Sequence, residues 1–108
     1  MYVLLQMTEP VSMYINHSTR AGKKLMAVFN LENGHTRTVH FGNAGSGDYT
    51  RHRDLVRKRM YLARHAPRED WTSPMTAGAL SRWILWNKET LRESILDYTQ
   101  RFDIALER

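Results

Sequence analysis

The chain contains no cysteine, which excludes disulfide bonds and any metal site built on thiolates. It also lacks a long apolar run, since none approaches the roughly 18 residues that a membrane-spanning helix needs. The N-terminal residues MYVLLQMTEP have neither the basic start nor the long apolar core of a signal peptide. We therefore expect no membrane span and an intracellular protein of the cytoplasm or nucleus.

Catalytic signatures are missing as well. The sequence has no HExxH motif, no Cys/His cluster and no nucleophile elbow. His52 and His65 lie too far apart on one predicted helix to bind a single metal through adjacent turns. Asp48 and His52 have a four-residue spacing, but Asp48 is expected to precede the helix. We expect no enzymatic activity, no cofactor and no metal; a small metal-dependent enzyme acting through Asp48 or His52 is a distant alternative.

What the chain does have is an ordinary globular composition with a basic charge. Its 108 residues predict a single domain over residues 1–108, and the 42% hydrophobic content is enough for a small core. The formal net charge of +5 favours polyanionic partners such as nucleic acid or acidic protein surfaces. The alternative is that the excess lysine and arginine only maintain solubility.

Residues 1–41 are rich in strand signals. Short apolar or alternating runs predict strands over residues 2–6, 11–17, 24–31 and 35–41. In the second of these, Val11, Met13 and Ile15 share one face. Asn33-Gly34 supplies the positive φ angles of a tight hairpin turn between the last two. These features predict a small antiparallel sheet of three to four strands.

Residues 48–108 have helical patterns instead. Thr50 is predicted to cap a helix over residues 50–65, and Ser73-Pro74 to begin a second helix that carries Trp83 and Trp86. A third helix is predicted from residue 89 to near the C-terminus. The fold class is therefore α+β, with the sheet followed by three helices, two of them packed on it. The predicted buried stripes are Leu55, Tyr61 and Leu62 with Val56 or Met60 in the first helix, and Leu91, Ile95, Tyr98, Phe102 and Leu106 in the third.

Two features predict how the chain binds its partners. The connection GNAGSG, residues 42–47, could cradle a phosphate, but it lacks the Gly-Lys-Ser/Thr ending of a P-loop and we favour a plain loop. Residues 51–68 hold seven lysines and arginines against Asp54 alone, a net charge of +6. They are either phosphate contacts or a solvated face paired with acidic residues. The predicted contacts are Arg51, Arg53, Arg57, Lys58, Arg64 and Arg68, with Tyr49 and Trp71 as exposed aromatic contacts.

Residues 39–97 carry a dense pattern, HFG…DYTRHRD…R…YLARH…RE.W…P.TAG…SRW.LWNK.TL..SI.D, that covers about half of the chain. It resembles a family of small basic proteins encoded by large double-stranded DNA viruses of eukaryotes. The glycine-rich loop and the longer N-terminal strand region depart from that family's pattern. The resemblance implies a viral origin and an intracellular life cycle. The matching residues include His40, Phe41, Gly42, Asp48, Tyr49, Thr50, His52, Asp54, Tyr61, Arg64, His65, Arg68, Trp71, Pro74, Thr76, Ala77, Gly78, Ser81, Arg82, Trp83, Leu85, Trp86, Asn87 and Lys88.

Together, charge and resemblance give two function hypotheses. The first is a non-enzymatic viral structural or accessory protein, such as a minor capsid or virion-associated component, that contacts other viral structural proteins. The second is a nucleic-acid-binding protein that uses the basic helix. The expected location is the virion or the host cytoplasm or nucleus. An uncovered sheet edge would also favour self-association.

Overall fold

The computed structural model describes residues 8–107, so the strand predicted over residues 2–6 lies outside the described residues. Three consecutive strands pair antiparallel, and Gly34 takes a φ of +85° in the predicted hairpin turn. A fourth strand comes from the C-terminal end and pairs parallel with the first, so the sheet is mixed rather than antiparallel. The sheet order is β3-β2-β1-β4, with β1 Pro10–His17, β2 Lys23–Leu31, β3 Thr36–Asn43 and β4 Ala105–Leu106.

Helices make up most of the chain segment between β3 and β4, which confirms the α+β class. The described residues contain four α-helices rather than three, because the first predicted helix is divided at Arg53, whose φ is 52°. A 3₁₀ turn follows the second helix, and a π-helical segment directly follows the third. The elements are α1 Tyr49–His52, α2 Leu55–His65, the turn Ala66–Arg68, α3 Ala77–Leu80, the π segment Ser81–Leu85 and α4 Leu91–Arg101.

The predicted helix starts were wrong for the first two helices. Asp48 rather than Thr50 caps α1, and its carboxylate accepts from the Thr50 backbone N–H at 3.0 Å. Asp54 caps α2 in the same way. Thr76 rather than Ser73 caps α3, because its hydroxyl accepts from the N–H of Ala79. Each new cap is a side-chain oxygen placed two or three residues before the N–H that it accepts, the spacing that capping requires.

The last predicted helix is shorter than expected. Thr90 caps α4 by accepting from the N–H of Glu93, and the helix ends at Arg101. Asp103 then takes a positive φ of 54°, which turns the chain back toward the sheet. Leu106 therefore lies in β4 beside β1 rather than on the apolar stripe of α4.

The core lies between two layers. One layer is the sheet, and the other is formed by α3, the π segment and α4. Its largest fully buried side chains include Phe29 and Phe41 from the sheet and Tyr98 from α4. Trp83 and Trp86 are half-buried and pack against this core. Helix α2 lies outside the two layers. None of the helices between residues 8 and 107 has the length and apolar character needed to span a lipid bilayer.

The position of α2 overturns its predicted apolar stripe. Tyr61 is buried, but Leu55, Val56 and Met60 are 48%, 61% and 55% exposed. Only one narrow side of α2 faces the rest of the protein. Tyr61 lies on that side, whereas Leu55, Val56 and Met60 point into solvent. Val11 is also exposed, because the β1–β2 register shifts between Pro10 and Ser12.

Candidate anion-binding cleft

A cleft of about 460 Å³ lies between the end of the sheet and α2. The Gly42–Gly47 connection forms part of its wall, together with the π segment. Gly42 takes a φ of +81°, and an added Cβ there would lie 2.7 Å from Leu85 Cδ1. The glycine-rich connection is therefore part of a cavity and not only a link between two elements. The polar lining includes Lys23, Lys24, Arg64, His65, Glu69 and Ser81.

A buried ion pair fixes one end of the cleft. The Lys24 ammonium lies 2.6 Å from Asp48 Oδ2, and the two side chains are 13% and 3% exposed. The same carboxylate caps α1, so one side chain joins β2 to the first helix. Asp48 therefore has a structural role, and its negative charge in the cleft is balanced by Lys24.

A histidine–glutamate pair stands on the other wall. His65 Nδ1 lies 3.0 Å from Glu69 Oε2, while Trp71 Nε1 donates to Glu69 Oε1 at 2.8 Å. Because an ionised carboxylate only accepts, His65 carries its proton on Nδ1 in this contact. Glu69 fits there because Gly78 has no side chain; a Cβ at Gly78 would lie 2.9 Å from Glu69 Cδ. Close packing against Glu69 thus explains the glycine at position 78.

Four neighbouring rings lie beside the cleft, and we call them the aromatic column: Trp86, Tyr61 and His65, which are stacked, and His52, which contacts Trp86. The ring centroids of Trp86 and Tyr61 are 4.2 Å apart at 6°, and those of Tyr61 and His65 are 4.1 Å apart at 22°. The His52 ring lies 5.4 Å from that of Trp86 and is tilted by 56°. Burial, followed by the charge of Glu69, raises the pKa of Tyr61 to about 12, so its hydroxyl stays protonated at neutral pH.

The free positive charge of the cleft comes from two residues. Lys24 and His65 each contact a carboxylate. In contrast, Lys23 and Arg64 have no carboxylate within 4.0 Å among residues 8–107. Arg57 lies on the same side of α2 as Arg64, seven residues earlier, and both line a shallower depression that shares Gly47 and Trp86 with the cleft.

The structure does not bring all the predicted contact residues together. Arg64 lines the cleft and Arg57 lines the neighbouring depression, while Arg51 and Arg68 are exposed outside both. Arg53 and Lys58 line a separate depression, where they donate to the backbone carbonyls of Glu89 and Asn87. Burial, then Arg82 and Lys88, lowers the pKa of Lys58.

The two aromatic residues predicted as exposed contacts are otherwise engaged. Tyr49 is buried, with the Lys58 ammonium 4.6 Å from its ring centroid, so the expected exposure was wrong. Tyr49 is the first residue of α1, because the helix begins one residue earlier than the predicted cap at Thr50. Trp71 is half-buried; it donates to Glu69, and its carbonyl accepts from Trp83 Nε1.

The cleft contains residues that the sequence reading did not select. Lys23 and Lys24 are far from the basic segment in sequence and only join it through the sheet. The His65–Glu69 spacing of four residues was a usable signal, although the contact crosses a 3₁₀ turn. In the described part of the chain, no group of three or more His, Cys, Asp or Glu residues could hold a metal ion.

A family model described as "Family of unknown function (DUF5754)" matches residues 13–65, slightly less than half of the chain. The match spans β1 to α2 and therefore includes Lys23, Asp48 and His65 of the cleft. It ends before Glu69 and the π segment. No curated protein and no solved structure matches the chain.

Proposed function

We propose that this chain binds nucleic acid through backbone phosphates, using the cleft and the arginines at its rim. The observation that carries this proposal is that Lys23 and Arg64 have no carboxylate partner within the described residues and lie together in a concave surface, with Arg57 beside it. Unpaired cations can displace the counterions of a phosphate chain, which is the main source of affinity for nucleic acid. This surface includes only part of the basic segment named from the sequence.

The aromatic column indicates how such binding would work. Stacking of unpaired bases requires free ring faces; Tyr61 is stacked between Trp86 and His65, and Trp86 has one face stacked on Tyr61 and contacts the tilted His52 ring. Contacts to phosphate are therefore favoured over contacts to bases. Recognition of this kind depends weakly on nucleotide sequence.

The first prediction concerns the salt dependence of binding. Fluorescence anisotropy with labelled duplex and single-stranded DNA should give a log K that falls linearly with log salt concentration. Replacing Lys23 and Arg64 together by alanine should reduce the magnitude of that slope by about 1.4 to 1.8, because two phosphate contacts are lost. Arg37→Ala/Arg92→Ala is the control, since it removes two exposed arginines of β3 and α4 away from the cleft. An equal change of slope in both variants, or no binding at low salt, would contradict the proposal.

A second candidate function, contact with a viral structural protein, is favoured by the exposed apolar face of α2. Leu55, Val56 and Met60 lie on that helix with about half or more of each side chain in solvent. Such a face is typical of a protein-binding surface. The resemblance to a viral family supports a virion component as the partner. Met60 also lines the depression that contains Arg57 and Arg64, so the apolar face adjoins the basic surface.

Virion association gives the second prediction. If the chain is a virion component, mass spectrometry of purified virions of the encoding virus should detect it. Val56→Glu/Met60→Glu should reduce its incorporation severalfold, because a charge on each of two contacting side chains would be desolvated in the interface. Leu96→Glu, at a similarly exposed leucine of α4, should leave incorporation unchanged. Virions without the protein, or equal incorporation of all variants, would argue against this function.

A further inference from the structure

The cleft brings basic residues from two different elements into one cavity. Among residues 8–107, two cations of the lining, Lys23 on β2 and Arg64 on α2, have no carboxylate partner, and they come from different elements of the same cavity. Lys24 is paired with Asp48, and His65 contacts Glu69. The cleft therefore places two cations, Lys23 and Arg64, where one ligand can contact both. A backbone phosphodiester carries one negative charge, whereas a phosphate monoester carries about −1.5 to −2 at pH 7.

The other groups that line the cleft are compatible with a phosphate monoester. Ser46 and Ser81 line the cleft, and the Ser81 side chain also hydrogen-bonds to Tyr61. The volume of about 460 Å³ lies within the range of roughly 300 to 1,000 Å³ that small-molecule sites occupy. A phosphate with an attached nucleoside could enter such a space.

A base cannot stack on Tyr61, because its ring lies between those of Trp86 and His65, and one face of Trp86 is already stacked on Tyr61. The phosphate group is then the part of the ligand that the cleft can hold most strongly. We propose that the cleft binds a nucleotide phosphate monoester, with Lys23 and Arg64 as its ionic partners and His65, oriented by Glu69, beside them. For a strand end as ligand, this inference rests on the proposed binding of nucleic acid.

The test compares two DNA 12-mers of one sequence, labelled at the 3′ end, with either a 5′-phosphate or a 5′-hydroxyl group. Anisotropy at low salt should show roughly tenfold or tighter binding of the phosphorylated strand, as one added charge-assisted contact provides. Adenosine 5′-monophosphate should compete with it and adenosine should not. The preference should disappear in Lys23→Gln/Arg64→Gln and persist in Arg51→Gln/Arg68→Gln, which removes the same charge outside the cleft. Thermal melting checks that each variant is folded.

The outcomes separate the two proposals. Equal binding of both strands by the wild-type protein overturns the monoester site while leaving nucleic-acid binding intact, and this comparison needs no variant. A preference that survives in Lys23→Gln/Arg64→Gln also overturns it, because the added charge is then bound elsewhere. Binding of adenosine 5′-monophosphate without binding of either strand supports the cleft as a free-nucleotide site and overturns nucleic-acid binding. If the phosphorylated strand binds and adenosine 5′-monophosphate displaces it, the cleft accepts strand ends as well as free nucleotides.

Discussion

Replacing Asp48 by alanine is expected to lower the free energy of unfolding by about 3 to 5 kcal/mol, the cost of leaving one partner of a buried ion pair uncompensated. The Asp48 carboxylate is almost fully buried, and its partner Lys24 is held at 2.6 Å on the neighbouring strand. The substitution also removes the N-cap of α1, since the same carboxylate accepts from Thr50. The ammonium of Lys24 would remain in a poorly hydrated position without a counter-charge.

Urea unfolding measures this effect, and Asp54→Ala is the matched control. Asp54 caps α2 with the same type of hydrogen bond, but its side chain is 44% exposed and lies 3.7 Å from Arg57. Loss of a cap alone should cost about 1 kcal/mol. The double variant Asp48→Ala/Lys24→Met should be more stable than Asp48→Ala, because it removes the uncompensated charge. Equal losses for Asp48→Ala and Asp54→Ala would show that the ion pair adds little.

The fold could be predicted from the sequence where local chemistry decides it. The Asn33-Gly34 turn needs positive φ angles, and the alternating runs on either side need a half-buried sheet, so both hairpin strands were found close to their true bounds. The fourth strand could not be predicted, because two residues near the C-terminus become a strand only by pairing with β1. Its partner is more than ninety residues away in the chain.

Helix α2 shows why the candidate site was only partly predictable. Its basic residues were visible, but which of them are free depends on contacts made by distant residues. Lys58 is held by the carbonyl of Asn87, whereas Arg64 faces the cleft. The apolar residues of α2 suggested a buried stripe, but the break at Arg53 places the helix outside the two main layers. Periodicity alone could not reveal that displacement.

The second large effect is expected at Gly42. Its φ of +81° would strain an alanine, which costs about 1 to 3 kcal/mol. The added Cβ would also lie 2.7 Å from Leu85 Cδ1, and Leu85 is buried in the core, so repacking should cost about 1 to 3 kcal/mol more. Gly42→Ala should therefore lower the free energy of unfolding by about 2 to 4 kcal/mol in urea denaturation, when neighbours relax partly.

Gly22→Ala separates the two causes, because Gly22 has nearly the same φ, +83°, and no atom within 4 Å of an added Cβ. It should show the backbone cost alone. A larger loss at Gly42 then measures the contact with Leu85, which joins the end of β3 to the π segment at the wall of the cleft. The position of that wall would shift in Gly42→Ala but not in Gly22→Ala, so only the former should also weaken binding of a 5′-phosphorylated strand. Equal losses of stability in the two variants would mean that Leu85 moves aside freely and that the wall is not rigid.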